Sequence, residues 1–237
     1  MNKVVLVTGA SRGLGLSIAK KFLNDNDIVY VNYHSTKINE LEEKYQKYTN
    51  AKFIKCDVSN EDEVKNMMNM IKEEQGHLDV LVNNAGIAID SELQDKTKET
   101  FRNILDVNLI GPFLTSKYAK DIMPKGSIIN VSSTNGIDTY YSYSLDYDAS
   151  KAGLINLTHN FASMYAPNIR VNCIAPGWIN TEMNKELDEE YVKEECEHIL
   201  LNRFAEPEEI ANVVFFLASN EASYITDSII RVDGGLK

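Results

Sequence analysis

Residues Lys3 to Val7 form a short, β-branched apolar run that ends at Gly9, and Leu14, Ile18 and Phe22 then recur at the spacing of one helical face. A buried strand, a turn through Gly9-Ala-Ser-Arg-Gly13-Leu-Gly15 and a helix therefore follow one another directly. Glycines in such a turn let a pyrophosphate come close to free backbone N–H groups at the helix N-terminus, where the helix dipole favours an anion. The spacing GxxxGxG departs from the GxGxxG of the usual dinucleotide fingerprint. The order strand, glycine turn, helix is nevertheless the one that phosphate binding requires.

The same alternation continues along the chain. Ile28 to Tyr33 reads as a second strand, Ile38, Leu41, Tyr45 and Tyr48 as a helix face, Ala51 to Cys56 as a third strand, and Val64, Met67, Met68 and Ile71 as the next helix. Leu78 to Val82 is the fourth strand, and Lys98 to Met123 is predicted as one long helix carrying Phe101, Leu105 and Leu109. Strands at Ser127 to Val131, Ile169 to Ile174 and Ile229 to Val232 follow, with a helix opened by Pro207 before the last. Unbroken alternation without an internal repeat or linker predicts a single α/β domain over residues 1–237, built on a doubly wound parallel sheet. Gly13, Asn83, Ser133 and the corner Ala175-Pro176-Gly177 should then meet at one carboxyl edge. Trp178 to Phe204 is charged, glutamate-rich and weakly periodic, and is expected to be a mobile lid over that edge.

Composition narrows the function classes. With 43% hydrophobic and 25% charged residues the chain is ordinary globular material. The net charge of −11 argues against nucleic acid and anionic membrane partners. Three cysteines and four histidines at no ligand spacing suggest neither a disulfide framework nor a metal site, and Cys56 and Cys173 are expected in the core. The N-terminus enters a strand at once and no apolar run approaches the ~18 residues of a membrane helix, so the simplest expectation is a cytoplasmic protein.

Tyr147 and Lys151 stand four residues apart, on one face of a helix. An ammonium held ~4 Å from a phenol at an effective dielectric of ~20 is worth about 4 kcal/mol, enough to lower a tyrosine pKa by roughly three units and make it an acid/base at neutral pH. Tyr140, Tyr141 and Tyr143 have no lysine at that spacing. At the end of the second strand, where an NAD enzyme places an acid, the chain has Asn32, Tyr33, His34 and Ser35, leaving room for a 2′-phosphate that Arg12 can pair with. The expected cofactor is therefore NADPH. Asp57 is suited either to the adenine amino group or to capping the turn into Ser59. Asn83, Asn84, Ala85 and Gly86 suit a backbone passing a flat ribose and adenine edge. Asn108, a lone amide in a predicted helix, reads as either solvated or functional.

In order along the chain, Thr8-Gly-Ala-Ser-Arg-Gly-Leu-Gly15, Asn83-Asn-Ala-Gly86, Ser133, Tyr147-x-x-x-Lys151 and Pro176-Gly177 resemble the classical short-chain dehydrogenase/reductase family. The resemblance implies a Rossmann-like sheet of order 3-2-1-4-5-6-7, a homotetramer, a nicotinamide cofactor and no metal. It implies that Tyr147 protonates a carbonyl oxygen, Ser133 holds that oxygen, Lys151 tunes the tyrosine and binds the nicotinamide ribose, and Asn108 holds a relay water. Strand alternation together with the family's serine before x-x-Gly136 selects Ser133 over Ser132. Cofactor contacts implied in the same way include Ser11, Leu14, Val58, Pro176, Gly177 and Ile179, with Thr181 on the carboxamide.

Within the family, Arg12, Val31-Asn32-Tyr33, the stretch Arg203 to Ile210 and the tail Ile225 to Gly235 are most similar to bacterial 3-oxoacyl-acyl-carrier-protein reductases. Three departures accompany that likeness. The basic docking residues expected for an acidic carrier are reduced to Lys125, with Ala166-Pro167-Asn168 at the second position. The loop Ile137 to Asp146 is rich in tyrosine, and its aromatic walls suit a sugar, polyol, steroid or other free ketone as well as an acyl chain. Asp227 stands where the family usually has glycine, so backbone strain is expected there. A cofactor-sensing regulator without chemistry is disfavoured, because the proton relay is intact.

Overall fold

The computed structural model describes residues 2–184 and 187–237. Seven strands lie in one sheet in the order β3-β2-β1-β4-β5-β6-β7. In chain order these are β1 (Val4–Val7), β2 (Ile28–Tyr33), β3 (Ala51–Lys55), β4 (Val80–Asn83), β5 (Gly126–Val131), β6 (Ile169–Pro176) and β7 (Ile229–Val232). Every pairing is parallel. The helices are α1 (Gly13–Asn24), α2 (Ile38–Tyr45), α3 (Glu61–Gln75), α4 (Lys98–Leu105), α5 (Gly111–Ala119), α6 (Leu145–Tyr165), α7 (Glu189–Glu197) and α8 (Pro207–Ala218).

Parallel strands covered on both faces must be apolar throughout, and all four residues of β1 are buried. Val5 and Val7 face a core with Ile18 and Phe22 of α1 and Val214 and Leu217 of α8. Val4 and Leu6 face a second core with Met67 and Ile71 of α3, Leu114 of α5 and Phe161 of α6. Cys56 and Cys173 are buried thiols, as expected from the sequence.

The stretch expected as one helix over 98–123 is helical from Lys98 to Ala119, with a change of hydrogen-bond pattern inside it. Asp106–Ile110 is a π-helical turn between α4 and α5. Pro112, at the start of α5, has no N–H and would crowd a carbonyl one turn back, so a regular α-helical bond is not available there and the helix widens into the π turn. A Cβ on Gly111 would lie 2.9 Å from Val58 Cγ2, so this bend also needs a residue without a side chain.

Strand order changes direction between β1 and β4, and the carboxyl ends of β1, β4, β5 and β6 open onto the crevice that results. Over that edge the segment from Trp178 folds back on itself. Trp178 stacks on Phe204 with centroids 5.3 Å apart, meets Tyr191 of α7 edge-on, and donates from Nε1 to Glu195 Oε2 at 2.8 Å. Residues 185–186, inside the segment expected to be a lid, lie outside the described residues. No helix among the described residues is long and apolar enough to cross a membrane.

Candidate active site

The turn after β1 brings Gly9 and Gly13 into left-handed conformations, with φ of 62° and 54°. A Cβ on Gly9 would come within 2.8 Å of Ala85 Cα, so the turns after β1 and β4 touch as backbone. Asn84 cements them: its Nδ2 donates to the carbonyls of Thr8 and Gly9 at 2.9 and 3.1 Å, while Thr8 Oγ1 accepts from the N–H groups of Asn84 and Ala85 at 3.0 Å. Arg12 occupies the cap position of α1 in extended conformation and makes no side-chain cap, leaving the first N–H groups of α1 for another acceptor.

Asn32 is not open to a ligand in the way the sequence suggested. It is buried, accepts the Gly9 N–H on Oδ1 at 3.1 Å and donates from Nδ2 to Cys56 O at 3.0 Å, so its side chain braces the glycine turn against β3. Strand alternation turns it inward; Tyr33 is half-buried, and His34 and Ser35 beyond it are exposed. Both roles weighed for Asp57 are compatible with its geometry. Oδ1 accepts from Ser59 N and Oγ at 2.9 and 2.7 Å, while Oδ2 faces His34 Nε2 at 3.8 Å. Val58 packs on Gly111. Thr181, reached from β6 through Pro176, Gly177 and Ile179, crosses the cleft to lie against Gly13, where an added Cβ would stand 3.7 Å from it.

Tyr147, Lys151, Ser133 and Asn108 are brought together from three elements. Lys151 is buried and its Nζ donates to Val131 O at 2.8 Å, 5.4 Å from the centroid of the Tyr147 ring. An added Cβ on Gly86 would be 3.3 Å from Asn108 Oδ1 and 3.6 Å from Lys151 Nζ, so Gly86 leaves the space between them open. The buried Asn108 amide reads Ile87 twice, accepting its N–H at 2.8 Å and donating to its carbonyl at 2.9 Å, and donates to Ser150 Oγ at 3.1 Å. Asn108 is thus neither solvated nor loose. Ser132 and Ser133 diverge as alternation requires: Ser132 Oγ donates to Lys151 O at 2.8 Å, whereas Ser133 Oγ faces Tyr147 and donates to Asn135 Oδ1 at 3.1 Å.

Electrostatics at the pair differ from the simple estimate of a cation beside a phenol. Burial pushes the Tyr147 phenol up to about 12, opposed by the Ser133 hydroxyl and reinforced by Asp148. Burial also pushes Lys151 down to about 8. Desolvation is the largest cause of both shifts. Asp148 follows Tyr147 in the chain, and neighbours at i±1 on a helix face apart. It does turn away, accepting from Asn135 Nδ2 at 2.7 Å and Tyr141 N at 3.0 Å, but its field still reaches the phenol.

Two sets of contacts were not foreseen from the sequence. Lys96 Nζ lies 2.8 and 2.9 Å from the two carboxylate oxygens of Asp146. Asn83 heads a buried chain, donating to Ser116 Oγ at 3.0 Å and Asn130 Oδ1 at 2.8 Å, with Asn130 donating on to Thr158 Oγ1 at 2.9 Å. The partners are tens of residues apart, so no local spacing announces either contact; polar residues inside apolar runs, as at Asn130, are the one available signal.

Residues 9–237 match the family described as Enoyl-(Acyl carrier protein) reductase. The 3-oxoacyl-[acyl-carrier-protein] reductase FabG of Thermotoga maritima is 38% identical over 99% of this chain and 97% of its own. FabG of Staphylococcus aureus strain MW2 is 40% identical, covering 100% and 98%. Among solved structures, ElxO with NADP bound superposes with a TM-score of 0.92 at 31% identity over 99% of this chain and 98% of that one. Aldohexose dehydrogenase of Thermoplasma acidophilum in ligand-free form gives 0.89 at 36% identity, covering 99% and 94%. With that similarity spanning both ends of the chain, the same sheet order, and Ser133, Tyr147 and Lys151 gathered at its carboxyl edge, the chain belongs to the short-chain dehydrogenase/reductase family of oxidoreductases.

Proposed function

We propose that the chain is an NADPH-dependent reductase that converts 3-oxoacyl-[acyl-carrier-protein] to 3-hydroxyacyl-[acyl-carrier-protein] in fatty-acid synthesis. The observation that carries this is the convergence of Ser133, Tyr147, Lys151 and the open space at Gly86 on one edge, in a chain 38% identical to a 3-oxoacyl reductase along its length. The cofactor site fits. Uncapped N–H groups at α1 suit a pyrophosphate, exposed Arg12 and the absence of an acid at Asn32 to Ser35 suit a 2′-phosphate, and Asp57 Oδ2 suits the adenine amino group. ElxO, solved with NADP bound, shares this fold.

When bound, NADPH supplies a hydride to the carbonyl carbon. Ser133 Oγ hydrogen-bonds the carbonyl oxygen, and Tyr147 delivers its proton to that oxygen as negative charge develops there. Two hydroxyls aimed at one oxygen favour ketone reduction over reduction of a carbon–carbon double bond, the step named by the family description. Lys151, on the floor beneath them, stabilises the tyrosinate left behind and holds the nicotinamide ribose. Asn108 positions a water that returns the proton. The same proposal includes one domain closed by a lid at about 178–204, assembly as a homotetramer, and the cytoplasmic location expected above.

A second substrate class is favoured by one feature. Tyr141 and Tyr143 pack together at 5.5 Å in the loop before α6, giving the entrance an aromatic wall suited to a sugar or other free ketone. The aldohexose dehydrogenase, at 36% identity, makes that class concrete. Steady-state oxidation of NADPH with acetoacetyl thioesters, presented on acyl carrier protein and as the pantetheine form, separates the two, with Tyr147→Phe as the blank. Turnover that favours the carrier-bound form supports the first. Inert thioesters together with turnover of free ketones would replace it by the second.

A further inference from the structure

The segment between β4 and α4, residues 84–97, is stitched to the turn that leads into Tyr147. Ser91 N–H donates to Tyr143 O at 3.1 Å, and Ser144 Oγ donates to the Asp90 carboxylate. The third stitch is an ion pair removed from water. The side chains of Lys96 and Asp146 are 5% and 0% exposed, and Lys96 Nζ also donates to Ile89 O at 2.6 Å. Asp146 Oδ1 in turn accepts the N–H of Tyr147 itself at 3.0 Å.

We propose that Lys96 is a positioning residue for the reaction: its ammonium, held between the Ile89 carbonyl and both oxygens of Asp146, latches the segment after β4 onto the first turn of α6 and so fixes where Tyr147 stands. The proposal rests on Tyr147 being the proton donor. Asp146 lies in the first turn of α6, where the helix dipole favours a carboxylate. An apolar pair of similar bulk would close the same space without taking two charges out of water. What the ammonium adds is direction. Its donors bind two chain segments at once, and an apolar contact would let them slide.

The latch also closes a ring. Asn108 pins the start of the segment at Ile87 and reaches Ser150, whose Oγ donates to Tyr147 O at 2.7 Å. Lys96 pins its end at Asp146, next to Tyr147 in the chain. The donor tyrosine is thereby held from both its N–H and its carbonyl, and the segment between Ile87 and Lys96 is held at both ends.

The test uses Lys96→Met, Asp146→Asn and the double variant carrying both. Each single change strands a buried charge or its partner and is expected to lower stability, which alone would not separate positioning from folding. The double variant removes both charges and should regain a melting temperature close to that of the parent. Positioning predicts that its kcat nevertheless stays down by about tenfold to a hundredfold, the loss typical of a displaced reacting group, with KM for NADPH unchanged. Peptides covering 87–96 and 141–147 should exchange amide hydrogens faster than in the parent. Lys96→Arg, which keeps a cation able to hold both carboxylate oxygens, should retain kcat within about threefold. A double variant with parental kcat and parental exchange overturns the proposal. If the parent itself reduces no carbonyl, the proposed function fails separately, and the exchange measurement alone decides the latch: unchanged protection of 87–96 overturns it, and faster exchange supports it.

Discussion

Burial moves the two titratable side chains at the centre of the site toward neutrality from opposite directions, and this has a measurable signature in stability. The Lys151 pKa is depressed from 10.5 to about 8, so between those values the unfolded chain holds a proton that the folded protein has released. Stability therefore rises with pH across that window, and is lost again as pH falls through about 8, where the native lysine becomes charged while still buried. Below about pH 9 the Tyr147 phenol, pushed up to about 12, is protonated in both states, and above that the same phenol is present in parent and Lys151 variant alike, so it cancels from their difference. Urea unfolding of the ligand-free parent against Lys151→Met should show the parent gaining up to roughly 3 kcal/mol between pH 7.5 and 10.5. A flat difference would mean that the lysine is solvated. Asp227 offers a second test at this scale. It adopts φ of 59°, and its Oδ1 meets His159 Nδ1 at 2.5 Å, so the strain expected there is accompanied by a side-chain partner. Asp227→Ala, which keeps a Cβ in the left-handed region without that partner, should be less stable than Asp227→Gly by about 1 kcal/mol in the same assay. Spacing made the Tyr147 and Lys151 pair legible, because i and i+4 share a helix face whatever the rest of the fold does. It could not disclose that Asn32 turns inward or that Lys96 finds Asp146, since those depend on strand register and on chain fifty positions away.

Elements were legible where a single periodicity ran uninterrupted, as in β1 and α1, and legible only in outline where two demands met in one stretch. Residues 98–119 carry helical spacing throughout, yet the structure inserts the turn Asp106–Ile110 between α4 and α5. The cause is distributed. Pro112 forbids a regular bond one turn back, Gly111 must pass Val58, and Asn108 is drawn to Ile87 and Ser150. The last two are tertiary contacts that a periodicity cannot contain. The turn is therefore held by what it touches, and removing a contact should be felt beyond its own residue. Asn108→Ala leaves the Ile87 N–H and carbonyl without their buried partner and should cost about 2–3 kcal/mol in urea unfolding, with reductase turnover falling in parallel. Gly111→Ala drives a methyl to 2.9 Å from Val58 Cγ2. It should destabilise by about 1–3 kcal/mol and weaken NADPH binding measured by fluorescence titration, because Val58 stands at the proposed adenine site. Unchanged NADPH affinity in a folded Gly111→Ala variant would remove Val58 from the cofactor site.

At the scale of the whole molecule, alternating strands and helices dictate a doubly wound sheet, and the direction of the chain then delivers every strand end of interest to one edge. The order β3-β2-β1-β4-β5-β6-β7 follows from the family resemblance and not from the alternation, which would also have allowed other right-handed windings. Net charge is the property of the whole chain that bears most directly on the proposed substrate. At −11, the protein meets the acidic carrier implied by the resemblance as a like-charged body, and the long-range field opposes encounter even where local contacts favour it. Raising ionic strength from about 0.01 M to 0.15 M shrinks the screening length from about 30 Å to about 8 Å, which removes most of that repulsion and leaves contacts at the mouth of the site nearly untouched. For a carrier-bound 3-oxoacyl thioester, kcat/KM should therefore rise by about threefold or more over that range, while the uncharged pantetheine thioester stays level. The comparison isolates the carrier, because both substrates share the reacting carbonyl and the same Ser133 and Tyr147. A fall in kcat/KM with salt for the carrier form alone would instead mean that local cations, with Lys125 the first to replace, attract the carrier strongly enough to override the charge of the whole.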